Sequence, residues 1–362
     1  MEGISNLNTA SVTDMRYMFG YCFALTSLDL SGWNTAAVTD MRYMFEYDSK
    51  LKDIYVDNGF VINGKDQSMF MSCKSLPNYN GSKTDNTLAH YREDGYLQLK
   101  VAQQGNSPVG AQKTGDGTLR ATCDLVLDDN ELEILHPFTA SQVSYTRTAA
   151  AEEWQDVYVP FAVDASALGR QYEAAMVNNF HEYQQEDGSY HVELEAKPLT
   201  SGTVPACTPL LLRWKSNMGG DARLELAATE VALPPSEGHV LDCASISREY
   251  RFEGSLASRG GFSTLTDYLM HEGTLCRITD TDAQMPPYHW YLTATDIAGS
   301  TPAATPADRI AIKIVGSDTT AIKETPSMDD RQPQPIYDLQ GRRLAQEPQH
   351  GVYIKNGKKY VK

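Results

Sequence analysis

Two histidine–glutamate pairs, His181-Glu182 and His271-Glu272, are the first places in this 362-residue chain to look for metal-assisted hydrolysis. A zinc protease of the H-E-x-x-H kind needs its second histidine one helical turn on, so that both rings reach the metal from one face. Gln185 and Leu275 stand there instead. The acidic runs Leu127–Glu131 (LDDNE) and Asp280–Asp282 (DTD) offer oxygen ligands for calcium but lack the full EF-hand loop pattern. Paired glycosidase carboxylates need only be close in space, so abundant acidic residues leave that chemistry undecided. No G-x-S-x-G elbow, phosphate loop or dinucleotide fingerprint occurs. The six cysteines form no C-x-x-C pair and match no zinc spacing, although an even count permits disulfides. Trp154, Trp214 and Trp290 lie in strand-like runs and read as core rather than as a sugar-stacking platform. The reading is of a chain with no metal, no cofactor and no catalytic residues.

Charge narrows the partners. With 31 basic and 47 acidic residues the net charge is −16, which argues against nucleic acid, since phosphate binding needs clustered Lys and Arg. No apolar run reaches the roughly 18–20 residues of a membrane span. The opening MEGISNLNTASVTD has neither the basic start nor the apolar stretch of a signal peptide.

The strongest pattern is a repeat. NTASVTDMRYMF at Asn8–Phe19 returns as NTAAVTDMRYMF at Asn34–Phe45, 26 residues later, with only Ser11 changed to Ala37. Phe70 and Leu76 continue the columns begun by Phe19/Phe45 and Leu25/Leu51, and the third copy then decays. A stacked repeat needs such near-identity because each unit must present the same apolar face to the next. Leu28 and Leu30, two apart, face one side of a short strand. Met15, Met18, Phe19 and Cys22 follow helical spacing, which predicts a short helix with Thr13 or Asp14 as N-cap, and Thr39 or Asp40 in the next copy. Cys22 and Cys73, equivalent positions two units apart, are too distant to bridge and read as separate thiols. Positions facing outward are the candidate ligand contacts: Arg16, Tyr17, Arg42 and Tyr43 on the helical side, and Asp29, Tyr55 and Asp57 on the strand side. Tyr and Arg are common interface anchors. Duplication alone also copies surface residues.

From Cys123 to Val315 about ten short alternating or apolar runs, separated by turn residues, predict an antiparallel β-sandwich or jelly-roll-like domain. DASALGRQYEAAMV reads as a short helix or crossover. The Gly/Gln/Ser-rich run before Cys123 reads as a linker, and Asn356-Gly357 as a two-residue hairpin turn near the end.

LTSLDLSGWNTAAVTDMRYMF (Leu25–Phe45) resembles the BspA-like leucine-rich repeats of bacterial surface proteins, whose repeats serve adhesion. WQDVYVPFAVD, SGTVPACTPLLLRWK and HWYLTATD resemble a β-rich module found downstream of such repeats in Bacteroidetes surface proteins. IYDLQGRRLAQEPQHGVYIKNGKKYVK is similar to the C-terminal sorting domain of type IX secretion, though short and with Leu344 in place of the usual Val. The expected organisation is therefore mainly β: an N-terminally incomplete leucine-rich-repeat solenoid with its cap over 1–100, a linker over 101–121, the antiparallel β domain over 122–316, a linker over 317–335 and a sorting-like tail over 336–362. The resemblance implies an exported, monomeric, non-catalytic surface protein that binds a host or bacterial protein or a glycan. The rival is a glycan-binding module or glycan-active enzyme centred on the β domain. A plain stalk is the third reading.

Overall fold

The alternating leucines of the first two copies form two short strands, β1 (Ser27–Asp29) and β2 (Asp53–Val56), which pair in parallel and place Leu28 opposite Ile54. Their inward side chains are buried together with Leu30, Leu51 and Val56. In the computed structural model the described residues are 3–150, 152–184, 190–215, 222–234, 240–244, 248–297 and 308–315, with 336–337, 343–344, 352–355 and 358–361 near the end. The chain divides into two units, Met1–Gly316 and Ser317–Lys362.

The helix expected in each repeat is replaced by a run of tight turns. Met18, Gly20 and Cys22 donate their N–H groups three residues back, to Met15, Tyr17 and Phe19. Met15, Tyr17, Phe19 and Tyr21 donate instead to Asp40, Arg42, Met44 and Glu46 of the next copy, at 2.9, 3.3, 2.9 and 2.7 Å. Met41, Tyr43, Phe45 and Tyr47 do the same to Lys65, Gln67, Met69 and Met71. An α-helix directs each interior N–H to a carbonyl four residues back in its own chain, leaving none for a neighbour. Here alternate amides join the copies, and the chain is bent by positive φ at Tyr17, Tyr21, Tyr43 and Tyr47. The anticipated helix caps become turn caps, with Asp14 and Asp40 accepting from the N–H of Arg16 and Arg42. The inward column is as expected from spacing. Phe19, Phe45 and Phe70 stack at 5.7 and 5.3 Å, and Tyr96 closes the column at 5.2 Å from Phe70.

The stretch read as a linker is sheet. β3 (Gln98–Gln104) pairs in parallel with β2 and, antiparallel, with β4 (Ser107–Lys113), with Gly105-Asn106 at the turn; β5 (Leu119–Ala121) follows. Val101, Ala102, Val109 and Ala111 are buried, so a few small apolar residues carry the strands through a polar composition. β6 (Leu125–Leu127), β7 (Leu132–Ile134) and β8 (Phe138–Thr148) come next. The order β1-β2-β3-β4-β5-β8 then ends on Arg223–Leu233, while β6 pairs with β8 and β7 with β3, making nine strands that run from the repeats into the β region.

A second sheet of ten strands has Tyr190–Pro198 and Tyr172–Gln184 as neighbours toward one edge and packs into one core with the larger part of the first. Both sheets are mixed rather than antiparallel: β5 and β6 run parallel to β8, and Tyr190–Pro198 runs parallel to Arg309–Ile314. Strand patterning shows which face is buried but not which neighbour is taken. The segment read as a helix or crossover contains one helical turn, Ala165–Leu168, and then the 13-residue strand Tyr172–Gln184. Near the end, Val352–Lys355 pairs antiparallel with Lys358–Val361; the turn expected at Asn356-Gly357 lies outside the described residues.

Gly110 on β4 shows how closely the repeat strands meet the β region. A Cβ there would lie 2.7 Å from Tyr55 Cε1 and still nearer to Gln98 Oε1. Gly110→Ala is therefore expected to cost about 1–3 kcal/mol by overpacking, read as a lower urea midpoint. A midpoint equal to wild type would show that Tyr55 and Gln98 move aside freely.

Candidate functional site

The outward side of the turns carries an aromatic ladder. Tyr17 and Tyr43 stack at 4.7 Å with ring planes 10° apart, and Tyr21 and Tyr47 at 5.1 Å. Phe23 meets Tyr21 edge-on at 6.0 Å. These spacings match the ~4.8 Å between neighbouring strands, so hydrogen bonding between copies sets the ring separation. Tyr17 and Tyr21 are each 50% exposed and Phe23 57%. In the first copy Cys22, Phe23, Ala24 and Leu25 line a shallow apolar hollow of about 480 Å³.

Beside the rings, Arg16 is held by both oxygens of Asp14 (Nε at 3.0 and 2.9 Å) and Arg42 Nη2 by Asp40 at 2.7 Å. Arg16 Nε also lies 3.8 Å from Asp40 Oδ2, linking the copies. Hydrogen bonds from Arg42 hold the Asp40 carboxyl down to about 2, and those from Arg16 lower that of Asp14. The result is a patch of aromatic edges, phenol hydroxyls and planar guanidiniums in which the two Arg–Asp pairs balance and the Glu46 carboxyl hydrogen-bonds Tyr21.

The structure thus brings together Arg16, Tyr17, Arg42 and Tyr43, and adds Tyr21, Tyr47 and Phe23. The recurrence of Tyr21 and Tyr47 at the same 26-residue spacing was the signal available for them. The strand-side candidates lie apart from the ladder and are engaged internally. Asp29 accepts from Lys100 Nζ at 2.8 Å. Tyr55 is half-buried, and burial raises its hydroxyl pKa. Asp57 accepts from the Gly59 N–H at 2.7 Å.

Elsewhere Arg147, Asp156 and His289 form a polar cluster that joins β8 of the first sheet to two strands of the second. Asp156 Oδ2 accepts from His289 Nδ1 at 2.9 Å and from the Trp290 N–H at 3.1 Å, while Arg147 bonds His289 and the Asp156 carbonyl. Ser255 stands opposite His289 in register. Its hydroxyl donates to the Ala257 carbonyl at 2.7 Å, and Arg147 holds the imidazole Nε2, so no serine–histidine pair forms. Trp154 and Trp290 are core residues, and Trp214 packs edge-on against Tyr172. Asp128 and Asp280 cap their own turns by accepting from Asn130 and Asp282. Among the described residues no three His, Cys, Asp or Glu side chains gather as a metal site, no helix is long and apolar enough to cross a membrane, and all six cysteines are free.

No curated protein and no solved structure matches the chain. A family described as "Mycoplasma protein of unknown function, DUF285" matches residues 1–85, the stretch that bears the tyrosine ladder and the BspA-like resemblance.

Proposed function

We propose that this chain is a non-catalytic binding protein of the bacterial cell surface, with the Tyr17/Tyr21/Tyr43/Tyr47 ladder and Arg16/Arg42 as its ligand-contacting face. The observation that carries the reading is a choice of residue. In the third copy the equivalent turn positions are Ser68 and Ser72, at φ 60 and 62, against 55–66 for the four tyrosines. A bulky residue at positive φ is an outlier, and such outliers concentrate at functional sites. The turn accepts serine, so its geometry does not demand tyrosine. Mutual stacking offsets part of the strain, yet Tyr17, Tyr21 and Tyr47 remain exposed.

The finer architecture belongs to the same proposal. The N-terminal copies are a leucine-rich-repeat stack of the BspA-like kind, the two-sheet region supports them as a sandwich, and the final strands form a sorting-like hairpin of a Bacteroidetes-type exported protein. The ligand is a surface protein or glycan. The burial of Trp154 and Trp290 favours the ladder over the β region as the contact surface.

The test replaces all four tyrosines by the third copy's own residue, serine, and screens both proteins against immobilised matrix proteins and a glycan array. The expected result is a folded variant whose binding is weaker by at least about tenfold, the scale of lost aromatic hot spots. Equal binding by the two proteins would place the contact surface elsewhere.

A further inference from the structure

Beneath the Tyr21–Tyr47 pair, the column that holds Cys22 in the first copy and Cys73 in the third holds Asp48 in the second. Asp48 is fully buried. Its Oδ1 accepts from the Cys22 N–H at 2.7 Å, a bond between copies. Its Oδ2 has no hydrogen-bond partner. The ionisable groups that interact with it are the Cys22 and Cys73 thiols, with the buried carboxyl of Glu46 acting on Cys73. Cys73 Sγ donates to the Phe45 carbonyl at 2.8 Å rather than to Asp48. No cation among these groups balances an ionised carboxylate, and a buried unpaired charge is costly.

We propose that Asp48 is an acid-tightened joint between the second copy and the copies on either side of it, staying in the stack when protonated and favouring opening of that corner when ionised. Burial pushes its carboxyl up to about 6, with the Cys22 N–H pulling the other way. The unfolded value is about 3.9, so the folded state binds the extra proton between roughly pH 4 and 6. Stability of the joint is then greatest on the acid side and declines as pH rises through that window. The device does not depend on what the ladder binds.

Cys73, buried in the same column, reports the opening. Its labelling rate in the full chain is followed by peptide mass spectrometry and divided by the rate in the unfolded chain at the same pH. Buried Cys207, outside the repeats, serves as reference. The expected rise in the Cys73 ratio from pH 5 to pH 7.5 is about tenfold, from linkage between the two carboxyl states, with the Cys207 ratio unchanged. Asp48→Asn should remove the rise; Asp48→Ser, close in size to the Cys of the flanking copies, checks the same point if the amide folds poorly. A flat or falling wild-type profile overturns the proposal. So does a variant that keeps the rise, or a Cys207 ratio that climbs in parallel.

Discussion

Asp156→Ala is expected to lower the unfolding free energy by about 3–5 kcal/mol, the usual cost of removing one partner from a buried charge cluster. The variant leaves Arg147, His289 and the Trp290 N–H facing an empty place between two sheets, in a site where the Arg147 and Asp156 side chains are only 11% and 5% exposed. Urea unfolding of the two proteins measures it, and a loss below about 1 kcal/mol would show that water replaces the carboxylate readily. The wild-type pH profile gives a second readout. Burial alone raises the Asp156 carboxyl, but His289, Arg147 and the Trp290 N–H outweigh it and hold the group below its ordinary value. A depressed folded pKa contributes stability above the unfolded value of about 3.9 and loses it as pH falls further. Asp48 acts in the opposite sense, losing stability as pH rises from about 4 to 6. Wild type should therefore be most stable near pH 4, with Asp156→Asn removing part of the decline below that pH and Asp48→Asn part of the decline between about pH 4 and 6.

Phe45→Ala carries an effect of similar size at the other core. Phe45 is fully buried between the rings of Phe19 and Phe70, so truncation removes both stacking contacts and leaves a cavity within a two-sided column. Phe→Ala changes of this kind cost about 3–5 kcal/mol. Because the repeats have a hydrophobic cluster of their own, the loss should appear first as faster labelling of Cys73, by about two orders of magnitude or more, with Cys207 far less affected. Phe45→Leu, which keeps much of the volume, should fall between. Equal acceleration at both cysteines would instead mean that the repeats and the β region open as one cooperative body.

The parts legible in the sequence were those enforced by repetition and alternation. Leu28, Leu30, Ile54 and Val56 alternate and are buried, and all but Leu30, which lies just past β1, are within strands. Phe19, Phe45 and Phe70 recur at a fixed interval, and they stack. The run RLELAATEVAL is a strand over its whole length, Arg223–Leu233. The helical spacing of Met15, Met18, Phe19 and Cys22 misled, because a chain of turns with positive φ at every fourth residue also returns every fourth side chain to the same side. Of that stripe Met15 and Phe19 are buried, whereas Met18 is 43% exposed. The polar run after Leu99 misled for a different reason: Val101, Val109 and two alanines suffice for strands that a neighbouring sheet covers.

Sequence alone therefore determined that neighbouring copies share one apolar face, since identical residues at a fixed spacing meet identical surroundings only by stacking. It also determined that the candidate Arg16–Tyr17 and Arg42–Tyr43 pairs would recur together. Only the tertiary structure decided that alternate amides of each turn bond the next copy, that β3 carries the repeat strands into a nine-stranded sheet, and that Asp29 is engaged by Lys100. It alone brought Arg147 to His289 across 142 residues of chain. The physical reason is common to all of these: a backbone amide or a buried charge takes whichever partner the packed neighbours leave within reach, and that neighbour is not written in its own stretch of sequence.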